Sequence, residues 1–134
     1  MEGLKRYFDK DALAKHLGIE LVEISAGAAV ARMPVRPHHL NSHGMVHGAA
    51  IFALADFAFA AASNSHGTVA VALSASILFV KAGGPGTLTA RASEVSISPK
   101  IGTYAITVTD DSGDTVASFQ GQVYRKRDPI SCGA

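Results

Sequence analysis

Cysteine is almost missing from this sequence, and the one present, Cys132, cannot close an internal disulfide. Nothing therefore marks the chain for an oxidising compartment. No base-bearing motif surrounds Cys132 in the tail Asp128-Pro129-Ile130-Ser131-Cys132-Gly133-Ala134, so it reads as a bystander and not as a nucleophile. Charge is scarce as well: 17% of residues are charged and the net charge is +1. With acids and bases interspersed, no nucleic-acid surface is expected, and Arg125-Lys126-Arg127 reads as a solvated strand end. No apolar run is long enough to span a membrane comfortably, and Asp9 and Asp11 interrupt any leader-like stretch, so a cytoplasmic protein is expected. What is plentiful is apolar surface, 48% of the 134 residues. One domain over residues 1–134, without repeat or linker, can bury a real core, and a surplus of apolar surface points to subunit contacts.

Local patterns predict an α+β architecture. Asp9 is expected to cap a short helix over residues 10–17, with Leu13 and Leu17 on its apolar face and Gly18 as its stop. Residues 19–24 and 28–35 read as strands about the turn Ser25-Ala26-Gly27. After Pro34 and Pro37 a polar loop leads to residues 47–63, HGAAIFALADFAFAAAS, whose alanines and leucine favour one long helix. That helix is apolar nearly all round, so burial all round is expected, although a single sheet hardly covers its circumference. Asn64-Ser65-His66-Gly67 ends it. The rest reads as an antiparallel meander. Odd positions from Val69 to Phe79 are apolar, then Lys81-Ala82-Gly83-Gly84-Pro85-Gly86 turns the chain. Leu88, Ala90 and Ala92 alternate until a phase slip before Val95 that predicts a bulge. Tyr104, Ile106 and Val108 form the next strand, Asp110-Asp111-Ser112-Gly113 a hairpin turn, and Ala117, Phe119, Gly121 and Val123 the last strand.

Asp56 carries the most information about chemistry. It stands within that apolar helix, with Phe52, Ala53, Phe59 and Ala60 one turn to either side. A carboxylate is costly to bury without partners, which favours a functional role over a structural one. Desolvation raises its pKa and nearby donors lower it. Gly48 opens the helix, where unsatisfied N–H groups and the positive dipole end suit a carbonyl oxygen that becomes an anion during attack. Asn41 and His47, in the loop feeding the helix, can position water, donate to a carbonyl or simply shape the loop. His38, His39, His43, His47 and His66 crowd the helix ends, but Gly44 lies between His43 and His47 and no Glu follows His43, so no metal site is expected. The glycines at 83, 84 and 86 lack the strand-to-helix setting of a phosphate loop.

Three stretches in this order resemble the PaaI-type (phenylacetic-acid pathway) thioesterases of the hotdog superfamily. They are Asn41-Ser42-His43-Gly44-Met45-Val46-His47-Gly48, then Phe52-Ala53-Leu54-Ala55-Asp56, then Ala62-Ser63-Asn64-Ser65-His66-Gly67. Gly86-Thr87-Leu88-Thr89-Ala90 and Gly121-Gln122-Val123-Tyr124 extend the likeness more loosely. The resemblance implies an antiparallel sheet wrapped around the central helix, dimers that usually pair into tetramers, and hydrolysis of acyl-CoA, with aryl, phenylacetyl or medium-chain groups, without a cofactor. By position, Asp56 matches the catalytic acid, as nucleophile or general base. Gly48 matches the carbonyl-polarising N–H, Asn41 and His47 the supporting polar groups, and Ser74 a hydroxyl that steers water. One departure is Ala49, where the family usually has a second glycine; it narrows the expected acyl pocket.

Gly48 and Asp56 lie eight residues apart on the expected helix, or roughly 12 Å along its axis. Both must reach one carbonyl, within about 3 Å each, and an Asp side chain cannot close that gap. A two-fold dimer in which Gly48, Asn41 and His47 face the partner's Asp56 is therefore expected. The competing reading is a non-catalytic acyl-CoA-binding module in which Asp56 is structural.

Overall fold

The computed structural model describes residues 2–131; Cys132 lies outside them. Six antiparallel strands form one sheet: β1 (Glu20–Ser25), β2 (Ala28–Pro34), β3 (Thr68–Phe79), β4 (Thr87–Ile97), β5 (Ile101–Thr109) and β6 (Thr115–Pro129). Helix α3 (Gly48–Ser63) touches every strand. Before the sheet come α1 (Glu2–Phe8) and α2 (Ala12–Leu17). A 3-10 turn, Pro37–His39, precedes α3. The α+β architecture, with a sheet about one long apolar helix, is as expected.

Period-two burial explains the sheet. Leu88, Ala90 and Ala92 of β4, Tyr104, Ile106 and Val108 of β5, and Ala117, Phe119 and Val123 of β6 all turn inward. They meet Leu54, Ala55, Ala58, Phe59, Ala61 and Ala62 of α3 in a single core. The phase slip in β4 is a bulge between Glu94 and Ser96. Small residues let the sheet approach the helix closely. Gly121 lies against the Phe59 ring, where a Cβ would stand 2.6 Å from the ring's Cζ.

Three expectations change. The cap of α2 is Asp11 and not Asp9: the Asp11 carboxylate accepts the Ala14 N–H, the geometry of a helix cap. The helix starts at Ala12, and α1 precedes it as a separate element anchored by Leu4 and Phe8. Second, the strands after α3 are not a simple meander. Their order is β1-β2-β4-β5-β6-β3, so β3 pairs with β6 and the residue 80–86 connection carries the chain across the sheet to β4, which pairs with β2. Third, α3 is not buried all round. Ala49 is exposed and Phe52, Ala53, Asp56 and Ala60 are half-buried, because the sheet covers one side and only the short α2 and Phe8 of α1 reach the other. Edge strand β3 is likewise open, with Leu73 57% and Leu78 67% exposed.

Candidate active site

The loop before α3 is built by its own polar groups. Asn41 Oδ1 accepts the N–H of His43 at 2.9 Å and of Met45 at 3.2 Å, and Gly44 takes the left-handed conformation with φ 77°. The acceptor side of the Asn41 amide is thus spent on the loop, and its NH₂ is left to donate. The His47 side chain caps α3, its Nδ1 accepting the Ala49 N–H at 2.9 Å. The N–H groups of Ala50 and Ile51 donate to the His47 carbonyl. The Gly48 N–H alone in this first turn meets no acceptor among the described residues.

Gly48 and Asn41 line one cavity of about 280 Å³ together with Met45, Ile51, Phe79 and Gly83. The Phe79 ring lies directly over Gly48, 3.2 Å from where a Cβ would be. A side chain at position 48 would therefore displace Phe79 as well as cover the free N–H.

Asp56 opens elsewhere. Its cavity, about 70 Å³, is walled by Asp11, Leu13 and Ala14 of α2, by Ile19, and by Ala53, Phe57 and Ala60 of α3. Phe52 and Phe59, expected beside it, turn instead to the sheet, where both rings meet Phe119. Burial, and then the negative charge of Asp11, push the Asp56 carboxyl above its ordinary pKa. Among the described residues no hydrogen bond to the carboxylate offsets them.

The expected site residues therefore divide. Asn41 and Gly48 share a cavity, whereas Asp56 faces a different one on the same chain. His47 lines a third, with Leu13, Leu17, Leu40 and Ala53; Leu13 and Ala53 also wall the Asp56 cavity, so the two adjoin. Ser74 lies exposed on edge strand β3, just past a bulge at Leu73, and lines none of these cavities. The remaining histidines have separate tasks. His39 is buried, accepting the Arg36 N–H on Nδ1 and donating from Nε2 to the Leu17 carbonyl. Burial lowers its pKa. His66 pairs with Glu94 at 2.7 Å. No group of three or more metal-ligating side chains is found among the described residues.

A free N–H at a glycine helix start and a desolvated carboxylate on the same helix are parts for acyl transfer. A family model described as the thioesterase superfamily matches residues 43–117, from the loop through α3 to the start of β6. The chain belongs to the thioesterase superfamily. Its relatives include the acyl-coenzyme A thioesterase PaaI of Escherichia coli, 41% identical over 119 residues, 88% of this chain and 85% of that one. A putative esterase of Archaeoglobus fulgidus is 41% identical over 127 residues, 93% of this chain and 82% of that one. The solved structure of the E. coli PaaI protein, from the phenylacetic acid degradation operon, superposes with a TM-score of 0.92 at 38% identity. It covers 97% of this chain and 95% of that one. The protein is thus a PaaI-type thioesterase with the hotdog fold.

Within this thioesterase, sequence reasoning passed over Phe79 and Asp11. Phe79 ends a strand whose odd positions are all apolar, and its ring lies over Gly48 because β3 runs back along α3, from Ala70 beside Asn64 to Phe79 at the helix start. For Asp11 a signal existed: an Asp three residues before Ala14 is a capping position as good as Asp9. The Asn64-Ser65 motif, diagnostic in sequence, is scaffold in the structure. Asn64 donates to the Ala60 carbonyl at 2.8 Å and accepts the Ala70 N–H at 2.9 Å, and Ser65 accepts the Gly27 N–H at 2.7 Å. Together they tie the end of α3 to β3 and to the β1–β2 turn. No helix among the described residues is long and apolar enough to cross a membrane.

Proposed function

We propose that this thioesterase hydrolyses acyl-CoA to free acid and CoA at a site completed by two copies of the chain. The observation that carries the reading is the division of the site. Gly48 and Asp56 sit on one unbroken helix, eight residues apart, and open into different cavities. Neither half can complete the reaction alone, and a two-fold pairing brings Gly48 and Asn41 of one chain against Asp56 of the other. The exposed edge of β3 supports such pairing, because a long unpaired edge invites another strand.

The chemistry follows from the parts. The Gly48 N–H, with the Asn41 NH₂ beside it, donates to the thioester carbonyl and stabilises the oxyanion that forms. Asp56 acts as a carboxylate in either of two routes. It attacks the carbonyl carbon to give an anhydride that water cleaves, or it takes the proton of a water that attacks in its place. In both, the C–S bond breaks and the sulfur leaves as the CoA thiolate, which takes the proton held by Asp56 in the water route and a proton from water in the anhydride route. His47 holds the helix start in place through its cap, and Ser74 stands on the strand edge that a partner would cover, where its hydroxyl can steer water. Phe79 and Met45 suit an aryl, phenylacetyl or medium-chain acyl group. A single cysteine, with no disulfide framework, favours a cytoplasmic setting, and the exposed apolar residues of β3 suit association as a dimer or tetramer.

Thiol release from a panel of aryl and aliphatic CoA esters tests the activity. Asp56→Asn should fold and lose at least ~100-fold in kcat. Binding without release from every ester would favour a non-catalytic acyl-CoA-binding protein. Mixing Asp56→Asn with Gly48→Leu tests the shared site, since mixed dimers regain one intact site from the two undamaged halves. Verified mixed dimers that stay inactive, or an active monomer, would remove the two-copy arrangement.

A further inference from the structure

The Asp56 cavity contains a second carboxylate to which the resemblance gives no role. Asp11 caps α2, its Oδ1 accepting the Ala14 N–H at 3.0 Å, and both Asp11 and Ala14 line the cavity into which Asp56 opens. The other walls are apolar: Leu13 from α2, Ile19 from the segment before β1, and Ala53, Phe57 and Ala60 from α3 itself. Among the described residues, Asp11 is therefore the one other titratable side chain facing Asp56 from any element around that cavity. The cap has two effects there. The first turn of a helix ordinarily presents free N–H groups, and a nearby carboxylate would be drawn to them. Asp11 takes the Ala14 N–H for itself and sets a like charge across the cavity.

We propose that Asp11 is a positioning residue for the hydrolysis: as cap and as like charge, it keeps the Asp56 carboxylate free of donors and directed into the open cavity. This rests on Asp56 being the acting group, as proposed above. The electrostatics agree, for burial first and Asp11 second both make Asp56 more basic. A more basic carboxylate is the better proton acceptor and the better nucleophile, provided it is ionised at the working pH. By hydrogen-bonding the carboxylate, a donor in place of Asp11 would give a weaker base whose attack must first break that bond.

Asp11→Asn and Asp11→Ser both keep a capping side chain and remove the charge, whereas Asp11→Ala removes both. The measurement is kcat/KM against pH through the acid limb, with thermal unfolding of each variant alongside. Removing a negative neighbour lowers the pKa of Asp56, so the acid limb should move to lower pH in the Asn and Ser variants alike. At a fixed pH on that limb, the rate as a fraction of its own plateau should rise about twofold or more, the scale of one screened charge at close range. Stability should fall in the Ala variant and stay near wild type in the other two. An acid limb that does not move in folded Asp11→Asn and Asp11→Ser, with only the Ala variant less stable, would reduce Asp11 to a plain cap and overturn the proposal. Asp56→Asn is assayed in the same series. If it turns over like wild type, the reading of Asp56 itself fails and takes this proposal with it. If it is inactive while the limb stays fixed, only the role of Asp11 is lost.

Discussion

Replacing Gly121 by Ala adds one methyl group to the most tightly closed contact between sheet and helix. The new Cβ would stand 2.6, 2.8 and 3.0 Å from three carbons of the Phe59 ring. Carbon atoms in comfortable contact are about 3.5–4.0 Å apart, so the overlap approaches an ångström. Phe59 has nowhere to go. It is 1% exposed, and its ring is held between Tyr104 at 5.9 Å and Phe119 at 5.5 Å. Overpacking of this kind costs about 1–3 kcal/mol. Against it stands the restriction of the unfolded chain when glycine becomes alanine, about 0.4–1 kcal/mol in favour of the variant. The net expectation is a loss of roughly 1–2 kcal/mol, which lowers Tm by about 3–8 °C in a domain of this size. Thermal unfolding at one fixed protein concentration measures it, since self-association would otherwise shift Tm. Gly121→Ala combined with Phe59→Leu should recover part of the loss relative to the sum of the two single changes. A Gly121→Ala protein as stable as wild type would show that the sheet yields there, and the close-packing argument would fail.

Two further perturbations have definite expectations. Asp56 has a folded pKa above its unfolded value, so the native state holds its proton more firmly and loses stability as pH rises through the carboxylate range. Asp56→Asn should therefore unfold at a higher temperature than wild type at pH 7, and the difference should vanish as the pH is lowered below the carboxylate range; a pH series of unfolding curves checks this, and a variant less stable at pH 7 contradicts it. Asn64→Ala removes bonds to Ala60 and to both backbone groups of Ala70 from a residue 7% exposed. Denaturant unfolding should register a loss of about 2–4 kcal/mol, two or three bonds at about 1 kcal/mol each with groups left unpaired, while Asn64→Asp should retain more stability than Ala through its Ala70 N–H bond.

Much of this architecture was legible because its signals are local. An alanine-rich stretch without internal proline gave α3 almost to the residue, and period-two alternation gave β4, β5 and β6 with their inward faces. The bulge in β4 was written in the slip between Ala92 and Val95. Elements with weak or divided signals were not legible. Leu4 and Phe8, at i and i+4, with Glu2 before and Lys5 and Arg6 after, gave α1 only a weak mark over seven residues, and Asp9 and Asp11 offered two caps of equal sequence quality. Strand order was beyond local reading altogether, because the pairing of β3 with β6 joins segments separated by two other strands. The site shows the same division. Asn41 and Gly48 come together because one short loop holds them, so motif spacing located both. Asp11 and Asp56 meet only because α2 folds back over α3, and nothing periodic connects them. Phe79 reached Gly48 because β3 runs the whole length of α3 back to the helix start, and its alternation with other apolar residues gave it no mark of its own.

The bonds made by Asn64 and Ser65 separate two kinds of information that the sequence presents as one signature. Asn64-Ser65 reports on assembly: it clips the end of the helix to one strand and to a distant turn. Asp56 takes no part in that clip. If Asp56 is the acting carboxylate, as proposed above, a descendant that exchanged it for a neutral residue would lose hydrolysis and still present the same outline and nearly the same motif. On the reading proposed above, form and chemistry are inherited on different residues, the first just past the end of α3 and the second within it, and a lineage can part with the second while the first holds it together.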